Sequence, residues 1–327
     1  MPRRDLKPLE LDPASGPVEI GRCRSVRLTC LSEVGWWDDA EMLAPVQAAG
    51  GMEKAEQWRV EWDNRMAAGC SHLVEVEGLD GTVRRLLLDT AWSPLYQAWR
   101  LMATGVDRLL AEGEVDALYL SHEHMDHFWG LEATLAADPE LTVLAPSTFS
   151  LNAVQFLYGK SFPRAGAVND TPLRGELLKM PPGKVHKLWD GCASLTFDLP
   201  IILGIRGEQS LVFHLEDQGL VLVTGCCHQG VLNFLDQARQ TIAGGDKLHG
   251  IYGGLHLAPF GAFPAPAQEA VRALGGYGLE KIAVNHCTGL PAVEMMRELG
   301  YPVLSGSGTQ GSRSSLYLGN GDQVTFA

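Results

Sequence analysis

Apolar and polar residues alternate with a period of two over positions 72–78, and positions 84–90 are nearly continuously apolar after two arginines. Gly78-Leu79-Asp80-Gly81 lies between them, so the pair predicts a β-hairpin. Residues 25–31 predict an earlier strand, and 117–120 and 141–145 predict short buried strands, the latter closed by Pro146. Pro94 opens a predicted helix whose core face carries Leu95, Trp99 and Met102 at helical spacing. Residues 147–190 lack a clear period and read as loop around one short helix. Strands are expected again at 194–199, 211–215 and 220–224. The last third alternates: helix 231–243, strand 248–252, helix 268–274, strand 281–285 and helix 291–299, which starts on a proline and stops before Gly300.

Strands first, then alternating strands and helices, predict two sheets with helices packed outside them. Residues 1–24 read as an irregular N-terminal arm and 25–327 as a single domain. An insertion near 34–68 carries Trp36, Trp37, Trp58 and Trp62, and is expected either to pack its indoles inward or to cover a site.

Composition removes several function classes. The formal charge of −13, with no cluster of Lys and Arg beyond pairs such as Arg84-Arg85, argues against nucleic acid or an anionic membrane as partner. No run approaches the roughly 18 apolar residues of a membrane span. Arg3-Arg4 is followed by no apolar segment that would make it an export signal. Seven cysteines without a repeating spacing argue for a reducing compartment, so a cytoplasmic protein is expected.

The chemistry concentrates in Ser121-His122-Glu123-His124-Met125-Asp126-His127, directly after a predicted buried strand. Side chains splayed from a strand end let His122 and His124 share one metal, while Asp126 and His127 address a second. Imidazole suits zinc and other transition ions, and a carboxylate can orient a bound water. Downstream, His228 and His286 each follow an apolar strand and precede a Gly-containing turn, the usual place for a site in an α/β sheet. Both are candidate ligands. His256, in Gly253-Gly254-Leu255-His256, is equally placed to bind metal or to face a substrate.

The segment His122 to His127 resembles the His-x-His-x-Asp-His signature of the metallo-β-lactamase superfamily. Thr224-Gly225-Cys226-Cys227-His228, Gly253-Gly254-Leu255-His256 and Asn285-His286-Cys287-Thr288-Gly289 are most similar to its dihydropterin-ribofuranosyl-aminobenzene-phosphate synthase-like subgroup. The resemblance spans residues 25 to 310. It implies a four-layer αββα sandwich of two mixed β-sheets with outer helices and a metal centre at one edge. It also implies that Asp89, ending the strand Leu86-Leu87-Leu88, supports the metal loop from behind. The chain departs from the commonest pattern at Gly225-Cys226, where the superfamily usually has a bridging aspartate, and across 202–208, where a usual histidine is missing. Cys226 is thus a candidate soft ligand or a small buried residue, and His228 a candidate replacement ligand. Phe128 and Trp129 replace the usual small residues after the metal loop and are candidate substrate contacts, as are Phe156, Tyr158 and Phe162.

The resulting expectation is a hydrolase holding two zinc ions, or one, with iron or manganese as alternative metals. A bound metal lowers the pKa of its water to about 7 and supplies hydroxide at neutral pH. Asp126 would orient that water or accept its proton. Small esters, lactones, amides, thioesters and phosphodiesters remain open as substrates, and a homo-oligomer is compatible with the sequence. An iron-dependent redox enzyme and a non-catalytic small-molecule-binding protein are the alternatives. The glycine- and serine-rich residues 305–315 lack a nucleophile elbow or phosphate-loop pattern. Their amides are read as a candidate cradle for an anionic group.

Overall fold

The computed structural model describes residues 6–34, 39–64 and 67–327. The predicted hairpin forms from Ser71–Gly78 and Val83–Leu88, paired antiparallel. Val83–Leu88 then runs parallel to Ala117–Tyr119, which runs parallel to Thr142–Pro146. A second parallel set follows later in the chain: Gly219–Thr224, Leu248–Gly253 and Lys281–Val284.

The two halves form one curled hydrogen-bonded network. They meet where Arg206–Leu215 pairs with Cys23–Ser32 at a single parallel position, Leu215 with Cys23. Alternation along the strands sets the layers. Leu86, Leu88, Ala117 and Tyr119 face Phe213, Val221, Val223 and Tyr252 between the halves. Their neighbours Leu87, Leu118 and Val143 point out to the helices Pro94–Thr104, Val106–Ala111 and Leu131–Ala137. Val212, Leu222, Ile251 and Ile282 point out to Val231–Thr241, Ala265–Leu274 and Leu290–Glu298. The order is helices, sheet, sheet, helices, as expected. No helix among the described residues is long and apolar enough to cross a membrane.

Three expectations change. The N-terminal arm is not wholly irregular: Leu9–Leu11 pairs with Val185–Trp189. The stretch 147–190 holds the helix Leu151–Leu157 and two strands, Leu177–Met180 and Val185–Trp189, whose short lengths hide their period. The face assigned to the Pro94 helix is reversed, with Leu95 85% and Met102 61% exposed. Its buried side carries Gln97, Arg100 and Leu101 because the polar pair finds partners there. Gln97 donates to the Ser71 hydroxyl, and Arg100 to the Leu31 carbonyl and to Gln310.

In the insertion, Asp39–Ala48 is helical, and Trp58 and Trp62 turn inward onto Trp129 and Trp92. Trp36 and Trp37 lie outside the described residues.

Candidate metal centre

The metal loop leaves the carboxyl end of Ala117–Tyr119 and enters the short helix Met125–Phe128. It is held from several sides. Gln209 on a neighbouring strand donates its amide N–H to the Leu120 carbonyl at 2.8 Å and its backbone N–H to Ser121 at 2.8 Å. Gln57, from the insertion, donates to the Glu123 carbonyl at 2.6 Å and accepts the Met125 N–H at 3.0 Å. The insertion therefore braces the metal loop.

The histidines meet in two groups. His122 Nε2 is 2.9 Å from His124 Nδ1, which is 3.0 Å from His228 Nε2. His127 Nε2 is 3.1 Å from His286 Nε2, and Asp126 Oδ2 lies 3.4 Å from the latter. The other nitrogen of most of these rings is tied to oxygen. His122 Nδ1 donates to Ser121 Oγ at 2.8 Å, since that hydroxyl donates onward to Asp89 at 2.7 Å. His124 Nε2 donates to the Ile202 carbonyl at 3.1 Å, His127 Nδ1 to Asp89 at 2.6 Å, and His286 Nδ1 to the Glu33 carbonyl at 2.8 Å. A neutral imidazole that spends its one N–H on such an acceptor turns a bare lone pair inward. Lone pairs converging at about 3 Å repel unless a cation sits among them: a metal ion at either group or, at the second group without metal, the proton that His286 keeps, so both donor sets fit a metal ion.

Protonation follows the same logic. Burial, then the neighbouring rings, pushes His122 and His228 well below the ordinary histidine value, and burial lowers His124 to about 4. These three are neutral at pH 7, the ligating form. Burial also lowers His286, but Cys287 and Asp126 beside it prevail and raise it to about 9. Burial would raise Asp126, yet His127 and His286 hold it well below the ordinary carboxylate range.

Each strand-end residue called from sequence lies here. Cys226 comes within 4.8 Å of His122 and His228, while His256 stacks on His228 at 4.0 Å between ring centroids. Asp89 is fully buried under the loop, as the resemblance implied. Gly225 is required above it: a Cβ there would sit 2.2 Å from Ser121 Oγ and 2.7 Å from Asp89 Oδ2. Asp89, Leu203, Cys227, His256 and His286 all take positive φ around the site, a strained backbone of the kind that gathers at functional centres.

The aromatic residues expected to contact substrate do not line the cleft. Phe128 and Trp129 are buried in the core, Phe128 against Phe149 and Phe156, and Trp129 against Trp58 and Trp92. The helix Met125–Phe128 turns them away from the cleft that the histidines face. Phe156 is buried with them, Phe162 packs on Trp58, and Tyr158 is half exposed away from the cleft. The amides of 305–315 form no cradle either. Those of Ser307, Ser312 and Arg313 bond within the protein, and the Arg313 side chain reaches the cleft instead. His72 is buried in the core, hydrogen-bonded to Tyr252 and Cys70.

Sequence reasoning missed Glu208. It sits in the stretch where the usual histidine was absent, and its carboxylate accepts the N–H groups of Cys227 at 2.7 Å and Gln229 at 3.2 Å, fixing the loop that carries His228. Burial raises its pKa from 4.5 to about 8 against those N–H groups. The folded chain keeps this proton where the unfolded chain has lost it. Glu208 therefore makes metal-free protein less stable as pH rises from 4.5 through about 8. In urea unfolding of chelator-treated protein, Glu208→Gln is expected to flatten the loss of stability between those limits. An unchanged slope would assign it to other groups.

The cleft over the centre encloses about 640 Å³, part of it open to solvent. That is the scale of a small-molecule site. Met42, Met52, Ile202, Leu203 and Phe260 make its wall largely apolar, with Arg313, Asp39 and Glu33 as the polar groups away from the histidines. Asp39 pairs with the Arg313 guanidinium at 3.0 Å.

No family model matches the chain. Over 260 residues it is 27% identical to the 7,8-dihydropterin-6-methyl-4-(beta-D-ribofuranosyl)-aminobenzene-5'-phosphate synthase of Methanocaldococcus jannaschii, covering 70% of this chain and 84% of the relative. Among solved structures, Zn(2+)-bound PqqB from Methylobacterium extorquens is similar with a TM-score of 0.50 and 13% identity, over 92% of this chain and 99% of that one. Tm1679, a metal-dependent hydrolase of the beta-lactamase superfamily, gives 0.49 and 18%, over 84% and 92%.

Proposed function

We propose that this chain, which has the metallo-β-lactamase fold, is a metal-dependent hydrolase of small, partly apolar esters, lactones, amides, thioesters or phosphodiesters. The observation that carries this reading is the inward convergence of five imidazoles, four of them (His122, His124, His127 and His286) fixed from behind by an oxygen acceptor. His122, His124 and His228 would hold one ion, and Asp126, His127 and His286 a second. Ions there supply a Lewis acid and acidify water near neutral pH.

The chain's own residues do the rest. Asp126, the partly exposed carboxylate at the floor of the cleft, stays ionised and would orient the attacking water by accepting its hydrogen bond. The methionine and leucine wall sheds water around the substrate's apolar portion. Arg313, steadied by Asp39, is placed to hold a carbonyl or an anionic group of the substrate.

Purified protein loaded with zinc, and separately with manganese or iron, should turn over at least one class in a panel of nitrophenyl esters, lactones, amides, thioesters and phosphodiesters. Asp126→Asn should lose that turnover about 10²-fold or more, since the amide neither carries the charge that would hold the second ion nor orients the water as the carboxylate does. Absence of turnover across the panel with every metal would sink the hydrolase reading. Iron on isolation with oxygen consumption would replace it with redox chemistry. The name of the archaeal relative favours one further reading, bond formation on a phosphorylated ribosyl substrate. Product formation from such a substrate, without hydrolysis of the panel, would select it.

A further inference from the structure

One wall of the cleft joins three residues that the proposed histidine centre does not need. Cys226 Sγ lies 2.9 Å from Cys287 Sγ and 3.3 Å from His256 Nδ1. The three donor atoms fall within 4.8 Å of one another. They come from three separate strand ends, after Gly219–Thr224, Leu248–Gly253 and Lys281–Val284, so their meeting is a product of the fold and not of local sequence.

The backbone is shaped to allow it. At Gly254 a Cβ would sit 2.4 Å from the Gly225 carbonyl oxygen and 2.6 Å from Cys287 Sγ, so any other residue would push the strand ends apart. Cys227, His256 and His286, beside the three donors or among them, all hold left-handed φ angles. Such strain persists only where the surroundings over-determine it. The backbone N–H of His256 also points to Cys287 Sγ at 3.2 Å, so the sulfur is held in place from a second side.

We propose that Cys226, His256 and Cys287 form a thiolate-rich site for a thiophilic divalent cation of the zinc class, contiguous with the histidine centre but separate from it. Two sulfurs and one imidazole are a familiar donor set for such an ion, and a fourth position is left toward the cleft. All three residues line the cleft, so the ion has an entry path. Cys226 also lies within 4.8 Å of His122 and His228, so it stands where the new site borders the histidine centre. Binding releases the thiol protons to solvent and changes no oxidation state.

The test uses cobalt as a zinc probe in the full-length chain. Co²⁺-loaded wild type should show a near-ultraviolet thiolate-to-cobalt charge-transfer band. Cys287→Ser should reduce it by about half and Cys226→Ser/Cys287→Ser should abolish it, since each thiolate contributes separately. His122→Ala/His124→Ala, which breaks the histidine centre, should keep the band. That outcome separates this site from the hydrolase reading, which can fail without it. Because substitutions beside His286 can disturb folding, alkylation of wild type with and without zinc gives a second readout. Zinc should protect Cys226 and Cys287 at least about tenfold, as ligation removes the free thiolate. No charge-transfer band in wild type, no protection by zinc, or a Cys226–Cys287 disulfide that re-forms after reduction would each overturn the proposal.

Discussion

His122→Ala/His124→Ala is expected to give a folded chain that binds about one metal ion fewer and loses at least about 10³-fold in turnover. Both effects have a stated source: two of three ligands are gone from the first ion, and a Lewis acid supplies several kcal/mol at tenfold per 1.4 kcal/mol. The fold should survive. In metal-free protein these rings turn lone pairs on one another at about 3 Å, so removing them relieves a repulsion as well as packing. Metal-free melting temperatures of variant and wild type should therefore lie close together. Zinc should then raise the wild type much further, by linkage of binding to folding. Elemental analysis and thermal melts with and without zinc check both halves. Equal metal content in variant and wild type would mean that the lone-pair geometry has been misread. A variant that fails to fold even without metal would mean that the rings are structural.

The parts of this site legible in sequence are those carried by local chemistry at strand ends. His122, His124, Asp126 and His127 stand within six positions, and His228 and His286 each close an apolar run, so strand periodicity alone puts them at one edge of the sheets. What stayed hidden depends on partners far along the chain. Gln57 reaches the metal loop from 66 residues away and Glu208 reaches the His228 loop from about 20, and no spacing announces either. Cys287 stands next to a recognised histidine, but its meaning comes from Cys226, 61 positions earlier.

The helix at Pro94 shows a different failure. Its apolar residues do recur at helical spacing, yet the buried side is decided by hydrogen-bond partners for Gln97 and Arg100. Phe128 and Trp129 failed for a related reason. Adjacency to a metal ligand on a helix gives no direction, and one turn of helix carries neighbours from the cleft into the core.

The second large effect should come from Asp89, a residue that touches no substrate. Its Oδ1 accepts the Ser121 N–H at 2.7 Å, and its Oδ2 accepts both the Ser121 hydroxyl at 2.7 Å and His127 Nδ1–H at 2.6 Å. One carboxylate thus fixes the start of the metal loop, the proton of His127 and, through Ser121, the proton of His122. Asp89→Asn preserves shape and tolerates the left-handed backbone at φ 60°. Its amide nitrogen cannot accept, so either the loop or His127 loses a partner. The expected result is a weakening of metal affinity by about 10–100-fold, the scale for a lost ligand-orienting group. Stability without metal should fall by only about 1–3 kcal/mol, the cost of one unsatisfied buried donor. Asp89→Ala should be worse on both counts, since it strands several donors and forces alanine into a left-handed conformation costing about 1–2 kcal/mol more. Competitive titration against a chelating dye measures the first effect and urea unfolding of metal-free protein the second. If Asp89→Asn bound metal like the wild type, the orientation of His127 would have to come from packing alone. The lone pairs facing the cleft would then no longer be set by the acceptor behind them.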